Sequence, residues 1–430
     1  MFFYKKFYLN NKIATNAIWM MVEKIISILG LIFVTSSVAK YVGPHVFGQI
    51  ALSLSIFQIV QIVAQMGGTT IIFKRISKNP ISGMRLLNAT FIMRFLLYLS
   101  IATPTLLYYI YQSDKMSCAF IAAAYISCFF STLDVLSIYY DATLKSKINT
   151  LINVIGLSLS LALRWLIVLF DFNPIYIAIP IALTGLIPFV LRKIIHRVNS
   201  RDFKRTKSNF RYVKYLFFSG ANFVVSDISV ALYTRLSFFI ISLFATKSDI
   251  GVYSVSLALG NSWGFINSSI ITSFFSKVYS TKNERESLHI ASKINILILF
   301  IGSMISIATA IIGSYFILFF YGDEFSGAYL PLVILCLSTT VAGLGGVSTR
   351  YIVRHSGYLF LSKKMLFTLL VSIVFSIPLI YFYGIIGAAI ATLLTEIVSL
   401  TIFNYPFKKG LILDLHLSSI KFIFMRDVKK

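Results

Sequence analysis

The stretch RKIIHRVNSRDFKRTKSNFRYVK, residues 192–214, is the longest polar segment of the 430-residue chain and lies near its midpoint. It carries nine basic residues and one acid. A helix that spans a bilayer needs about 20 mainly apolar residues, and six runs close to this length lie on each side of the stretch. The pattern predicts an all-α integral membrane protein with 12 transmembrane helices in two six-helix lobes. The predicted spans are residues 16–38, 46–72, 86–110, 116–140, 150–170, 175–191, 215–245, 251–276, 294–320, 329–349, 365–383 and 385–405.

The composition agrees with membrane burial and excludes several classes of protein. Hydrophobic residues make up 57% of the chain and charged residues 13%, whereas soluble domains carry about 25% charged residues. The mean hydropathy is +0.84. The net charge of +24 would suggest nucleic acid in a highly charged soluble protein, but this chain is poor in charge overall. We therefore expect no nucleic-acid partner.

The basic residues also predict the orientation of the chain, because cytoplasmic loops of membrane proteins are enriched in lysine and arginine. With the N-terminus inside, 32 of the 39 basic residues fall on the cytoplasmic side. The outside loops hold only Lys40, Lys115 and Lys247. Both termini are therefore expected in the cytoplasm, and the positive charge mainly sets topology.

Two pairs of similar segments predict an internal repeat. HVFGQIALSLSIF (residues 45–57) resembles SDIGVYSVSLALG (residues 248–260), and residues 144–163 resemble residues 360–379. Both pairs have the same orientation, which predicts parallel repeats, and transporters built this way bind substrate between the lobes. The predicted domains are an N-terminal lobe (1–198), a basic linker (199–214), a C-terminal lobe (215–405) and a basic cytoplasmic tail (406–430).

Motifs for nucleotide, metal or hydrolytic chemistry are absent from the sequence. There is no GxxxxGK[ST], GxGxxG, GxSxG or HExxH motif, so an ATP-driven pump or a membrane hydrolase has no support. The five histidines are scattered singly, and the three cysteines lie inside apolar runs. We expect no cofactor, no metal and no enzymatic activity, and any driving force would come from an ion or substrate gradient.

Charged residues inside the predicted spans are the main candidate functional residues, because such charges are costly in lipid unless they face a cavity or a partner. With Gly48 aligned on Gly251, Lys24 corresponds to Asp227, so each lobe carries a charge in its first helix. The cations are candidates for binding an anionic substrate, and the acids are candidates for ion coupling. The alternative for each residue is local ion pairing or snorkelling. The substrate candidates are Lys24, Arg94, Arg164 and Arg235, and the coupling candidates are Asp227, Glu396 and Glu23.

Polar stripes inside two apolar runs provide further candidates. Gln58, Gln61 and Gln65 recur at helical spacing on one face, and Asn261 and Asn267 lie in the corresponding run of the second half. The amide groups of these side chains are suited to hydrogen bonding with the hydroxyl groups of a sugar. Hydrogen bonding between helices would explain them equally well.

Four stretches resemble one known family along nearly the whole chain. They are YVGPHVFGQIALSLSIFQ (residues 41–58), YYDATLKSKINTLINVIG (139–156), FYGDEFSGAYLPLVILCLS (320–338) and YFYGIIGAAIATLLTEIVS (381–399). They are similar to segments of the Wzx-type O-antigen and capsule flippases, which belong to the multidrug/oligosaccharidyl-lipid/polysaccharide exporter superfamily.

The resemblance implies a V-shaped alternating-access transporter with a cationic central cavity in the bacterial cytoplasmic (inner) membrane. It implies an undecaprenyl-pyrophosphate-linked oligosaccharide as cargo, moved from the inner to the outer leaflet with ion-gradient coupling. Under this resemblance, the negatively charged pyrophosphate would be bound by basic side chains, for which the candidates are Lys24, Arg164 and Arg235. Membrane lipid is an implied partner, and the polysaccharide polymerase and chain-length machinery are candidate partners.

Two alternatives remain open from the sequence. Multidrug exporters of the same fold also have twelve helices, and the equal numbers of basic and acidic residues inside the spans do not exclude them. A polysaccharide polymerase of the same pathway would carry a large outside loop, whereas the outside loops here are short. Peptidoglycan-precursor flippases usually have two further helices, for which the chain has no room.

Overall fold

The computed structural model describes residue 19 and residues 23–66, 68–143, 145–199 and 228–424, and every regular element in these ranges is helical. The elements before residue 200 are α1 (Glu23–Gln65), α2 (Gly68–Lys78), α3 (Pro80–Gln112), α4 (Lys115–Leu133), α5 (Leu136–Ala142), α6 (Ser146–Leu169) and α7 (Ala178–Asn199). Those after residue 227 are α8 (Ile228–Phe244), α9 (Lys247–Ser262), α10 (Gly264–Ser280), α11 (Glu284–Tyr321), α12 (Tyr329–Arg354), α13 (Tyr358–Leu400) and α14 (Leu411–Phe424).

The internal contacts divide the chain into two compact units, Met1–Ile228 (unit 1) and Ser229–Lys430 (unit 2). Within the described ranges, eight helices are long and apolar enough to cross a membrane, and α8 is a shorter apolar helix. The chain is therefore an all-helical, multi-pass membrane protein, as the sequence predicted. The count of twelve helices and the lobe boundaries stay predictions.

Two long helices are broken at glycines, and both breaks fall between predicted spans. Gly43 in α1 has φ 73° and ψ 167°, and Pro44 follows it. Gly384 in α13 has φ 55° and ψ −131°. Positive φ is readily adopted by glycine, so each break redirects the chain without strain. A Cβ at Gly387 would lie 1.9 Å from the carbonyl oxygen of Leu379, so the two arms of α13 pack backbone to backbone beside the break.

The order of elements is similar in the two units. In unit 1, the second arm of α1 ends at Met66, whose backbone is left-handed, and α2 follows. The side chain of Asn79 then caps α3 by accepting a hydrogen bond from the backbone N–H of Ser82. In unit 2, α9 ends at Trp263, α10 follows, and Asn283 caps α11. This correspondence favours the internal repeat, which stays a prediction.

The last described helix, α14, belongs to the packed part of unit 2. It occupies residues 411–424, inside the segment 406–430 that was predicted to be a basic cytoplasmic tail. Ile412 and Leu415 are fully buried in a hydrophobic core with α11 and α12. Asn295 Nδ2 donates to Ser419 Oγ at 3.3 Å. The apolar face of α14 therefore packs on other helices of unit 2.

Candidate functional site

A chain of polar contacts connects four segments of unit 1 inside the apolar helices. Asp134, immediately after α4, forms an ion pair with Arg192 of α7. Arg192 also donates from Nη2 to Asn153 Oδ1 of α6. Asn153 Nδ2 in turn donates to Glu23 Oε1 of α1 at 3.0 Å. We call these four residues the Arg192 network.

The ion pair of the Arg192 network is buried. The side chain of Arg192 is 2% exposed and that of Asp134 is 10% exposed. A buried charge requires a partner, so the ion pair with Arg192 explains how the Asp134 carboxylate can be buried. Lys24, next to Glu23, is exposed.

Arg94 is 1% exposed and lies in α3 against the C-terminal end of α4. Its Nη1 donates to the carbonyl oxygen of Thr132 at 3.4 Å. The last carbonyls of a helix lack intrahelical partners and carry partial negative charge, so they stabilise the guanidinium. Arg94 Nε and Nη2 are buried without a hydrogen-bond partner among the described residues.

Arg164 and the glutamine stripe lie partly buried in unit 1. Arg164 Nε and Gln58 Oε1 are buried and have no hydrogen-bond partner in the described ranges. Gln61 and Gln65 are also half-buried, near the end of α1. Arg164 Nε is therefore available to donate a hydrogen bond to a bound molecule, and Gln58 Oε1 is available to accept one.

A second group of ionisable residues lies in unit 2, and we call it the Glu396 cluster. It consists of Tyr233, Lys364, Glu396 and His416. Tyr233 of α8 donates to Glu396 Oε1, in the second arm of α13, at 3.4 Å. Lys364, in the first arm, is 4% exposed, and its charge interacts with both Glu396 and His416.

His416 brings α14 into the Glu396 cluster. Its Nε2 lies 3.2 Å from Ser348 Oγ, and its Nδ1 lies 3.3 Å from the hydroxyl of Tyr405. Burial and, secondarily, the positive charge of Lys364 lower the pKa of His416 to about 4. The imidazole is therefore neutral near pH 7, and it adds no charge to the cluster.

The remaining candidates lie outside these two groups or outside the described residues. Arg235 is half-buried in α8, and Asp227 lies outside the described residues. Asn261 is exposed and accepts from Thr339 Oγ1 at 3.0 Å, while Asn267 donates to the carbonyl of Thr339 at 3.1 Å. Both asparagines thus bond between helices, which was the alternative explanation of their stripe.

Six members of these two groups were not among the candidates predicted from the sequence: Asp134, Asn153, Arg192, Tyr233, Lys364 and His416. Arg192 and Lys364 were assigned to cytoplasmic segments, because each directly borders an apolar run. In the structure α7 and α13 continue beyond those runs, and both side chains are buried. Across the described ranges, no group of three histidine, cysteine or acidic side chains is arranged to hold a metal.

Similarity to solved structures agrees with this fold. A multidrug resistance MATE family transporter of the MOP superfamily matches with a TM-score of 0.64 and 12% identity, covering 91% of this chain and 94% of that one. The lipid II flippase MurJ matches with a TM-score of 0.58 and 15% identity, covering 96% and 91%. Identities this low show a shared fold.

Sequence comparisons identify the family. A relative from Haloferax volcanii, named "Probable low-salt glycan biosynthesis flippase Agl15", is 25% identical over 215 residues. The match covers 48% of this chain and spans 43% of the length of that relative. The profile of the family described as "Polysaccharide biosynthesis protein" matches residues 13–278, more than half of the chain. The chain therefore belongs to the polysaccharide biosynthesis protein family, which confirms the resemblance seen in its sequence.

Proposed function

We propose that this protein is a flippase that moves a lipid-linked oligosaccharide across the membrane. The family match carries the proposal. The flippase name of the Haloferax relative and the fold shared with lipid II flippase MurJ support it. We further propose undecaprenyl pyrophosphate as the lipid carrier, and O-antigen or capsule assembly in the bacterial inner membrane as the setting. The role is that of a transporter and not of an enzyme.

Basic side chains in the apolar helices support an anionic cargo. Arg164 has a buried Nε without a protein partner in the described ranges, and Lys24 is exposed on α1. Arginine donates to phosphate oxygens through a planar fork, and lysine acts as a point charge. We propose that Lys24, Arg164 and Arg235 contact the pyrophosphate. The amides of Gln58 and its neighbours in the stripe would contact the sugar.

The test uses the purified full chain in proteoliposomes containing a fluorescent lipid-pyrophosphate-linked oligosaccharide. Accessibility of the label to a membrane-impermeant quencher measures its movement between leaflets. We expect movement with the protein and none in protein-free vesicles. The matched variants Lys24→Ala and Arg235→Ala should slow it, whereas Lys40→Ala, in a predicted outside loop, should not.

The alternative of a multidrug exporter is favoured by the fold shared with the MATE transporter. It predicts efflux of cationic dyes and no movement of the lipid-linked oligosaccharide. That pair of results would overturn the flippase proposal. Normal flipping by both Lys24→Ala and Arg235→Ala at equal reconstitution would instead overturn the proposed pyrophosphate contacts.

A further inference from the structure

The helix α14 carries apolar side chains on two of its faces. One face is buried, because Ile412 and Leu415 lie in the hydrophobic core of unit 2. On the other face Leu413 is 37% exposed, Leu417 is 45% exposed and Ile420 is 50% exposed. Side chains at spacings of three and four residues share one face of a helix. A helix with this face in water would carry polar side chains there, so the exposed stripe indicates an apolar environment.

The hydrogen bonds between α14 and α11 fix the direction of α14. Ser292 Oγ of α11 donates to the carbonyl oxygen of Leu415 at 3.5 Å, and Asn295 Nδ2 donates to Ser419 Oγ at 3.3 Å. The second contact lies three residues further along α11 and four residues further along α14 than the first. The two helices therefore run parallel.

This direction places the second half of α14 at membrane depth. All the charged residues of α11 lie before residue 294, and the apolar run that follows, 294–320, is a predicted span that begins on the cytoplasmic side. Ser419 is level with Asn295, at the start of this run. The first turns of α14 therefore lie at the cytoplasmic border of the span, and its last turn lies beside the apolar part of α11.

The buried face of α14 supplies partners for polar side chains of two predicted spans. Asn295 of α11 is 4% exposed and Ser348 of α12 is 0% exposed. Asn295 bonds to Ser419, and Ser348 Oγ lies 3.2 Å from His416 Nε2. Polar groups without a partner are costly in an apolar medium, and hydrogen bonds between membrane helices satisfy them. These contacts are those of a helix packed inside the membrane.

The surroundings of the exposed stripe are apolar at the same depth. The neighbouring helix α11 exposes Leu297 by 37% and Phe300 by 62%, in a segment long and apolar enough to cross the membrane. Lys421 of α14 is exposed. Helical side chains point toward the N-terminus of their helix, which is here the cytoplasmic side, so the ammonium group of Lys421 reaches the headgroups by snorkelling.

We propose that α14 is inserted into the cytoplasmic leaflet, with Leu413, Leu417 and Ile420 facing the acyl chains of the lipid. The partner of this surface is the bilayer and not a second protein. With 14 residues α14 is too short to cross the membrane, since crossing takes about 20 residues. Ile420 lies deeper than Leu413. The segment predicted to be a cytoplasmic tail therefore contains a membrane-inserted helix, whatever cargo the protein carries.

The first measurement is the reactivity of single cysteines in the full chain, with the three native cysteines replaced by alanine. The protein is reconstituted in phosphatidylcholine and phosphatidylglycerol vesicles with a water-soluble maleimide on both sides. A thiol in hydrocarbon stays protonated and unreactive, so Leu417→Cys and Ile420→Cys should be labelled only after denaturation. Lys409→Cys, exposed just before α14, is the matched control and should be labelled in the folded protein.

The second measurement is depth. The variants are labelled with a small fluorophore in detergent and then reconstituted with nitroxide lipids, which carry the nitroxide either on the headgroup or in the middle of an acyl chain. Leu413→Cys should be quenched more by the headgroup nitroxide, and Ile420→Cys more by the acyl-chain nitroxide. Phe300→Cys of α11 is the matched control for a lipid-facing position.

Three results would overturn the proposal. Labelling of Leu417→Cys and Ile420→Cys in the folded protein would place the stripe in water. Equal depths for Leu413→Cys and Ile420→Cys would show a helix lying flat on the membrane surface. Unreactive cysteines that neither nitroxide quenches would show that a protein, such as a second copy of the chain, covers the stripe. The substituted side chains are all exposed, and each position is measured independently of the others.

Discussion

The two units each bury an acid–base group, and the groups differ in how their charges are matched. In unit 1, Arg192 forms an ion pair with Asp134 and is connected to Glu23 through Asn153. In unit 2, Glu396 has Lys364 as its own countercharge and a tyrosine hydroxyl as a donor. Similar residue types are therefore held differently in the two units. Asp134 is held by direct ion pairing with Arg192, whereas Glu396 is held by a hydrogen bond from Tyr233 with the charge of Lys364 nearby.

The largest effect is expected from breaking the Arg192 ion pair. Arg192→Met would leave Asp134 buried without a countercharge, and loss of one partner of a buried pair costs about 3–5 kcal/mol. We expect a loss of this size in the free energy of unfolding, measured by denaturant titration in detergent. The adjacent Lys193→Met is the control, because Lys193 is exposed. Equal stability of the two variants would show that the ion pair is not structural.

A smaller effect is expected in unit 2 from Lys364→Met. Glu396 would lose its countercharge but keep the hydrogen bond from Tyr233, and an unsatisfied buried polar group costs about 1–3 kcal/mol. The same titration measures the loss, with exposed Lys363→Met as the neighbouring control. A loss larger than that of Arg192→Met would reverse the comparison between the units.

The smallest effect is a pH dependence of stability that comes from His416. An unfolded histidine has a pKa near 6.5, whereas the folded pKa is lowered to about 4 by burial and by Lys364. Between these values the unfolded chain binds more protons, so stability falls as the pH decreases. Above pH 6.5 the contribution is complete. Thermal unfolding of wild type should lose more stability on acidification than His416→Gln. Exposed His289→Gln should behave like wild type, and an unchanged slope in His416→Gln would contradict the assignment.

Much of the fold was predictable because membrane helices are set by the length of apolar runs. Gly43–Pro44 and Gly384 fall between predicted spans, and the structure breaks the helices there. Burial of particular charges was not predictable, since it depends on the neighbouring helix. Arg192 and Lys364 looked like cytoplasmic charges because each borders an apolar run.

Other parts of the site depend on contacts that a sequence does not reveal. Glu23 was a coupling candidate from its position alone, and its connection to Arg192 through Asn153 spans more than a hundred residues of chain. The residues after 410 alternate apolar and polar side chains, and their packing in the core of unit 2 depends on α11 and α12.

A double-mutant cycle across the Arg192–Asp134 ion pair tests the difference between the units most directly. Denaturant titration in detergent gives the free energy of unfolding of wild type, Asp134→Asn, Arg192→Met and the double variant. Two residues joined by a buried ion pair should show a coupling energy of about 0.5–3 kcal/mol, and it should exceed the coupling energy between Lys364→Met and Glu396→Gln. A coupling energy near zero for Asp134 and Arg192 would contradict the account.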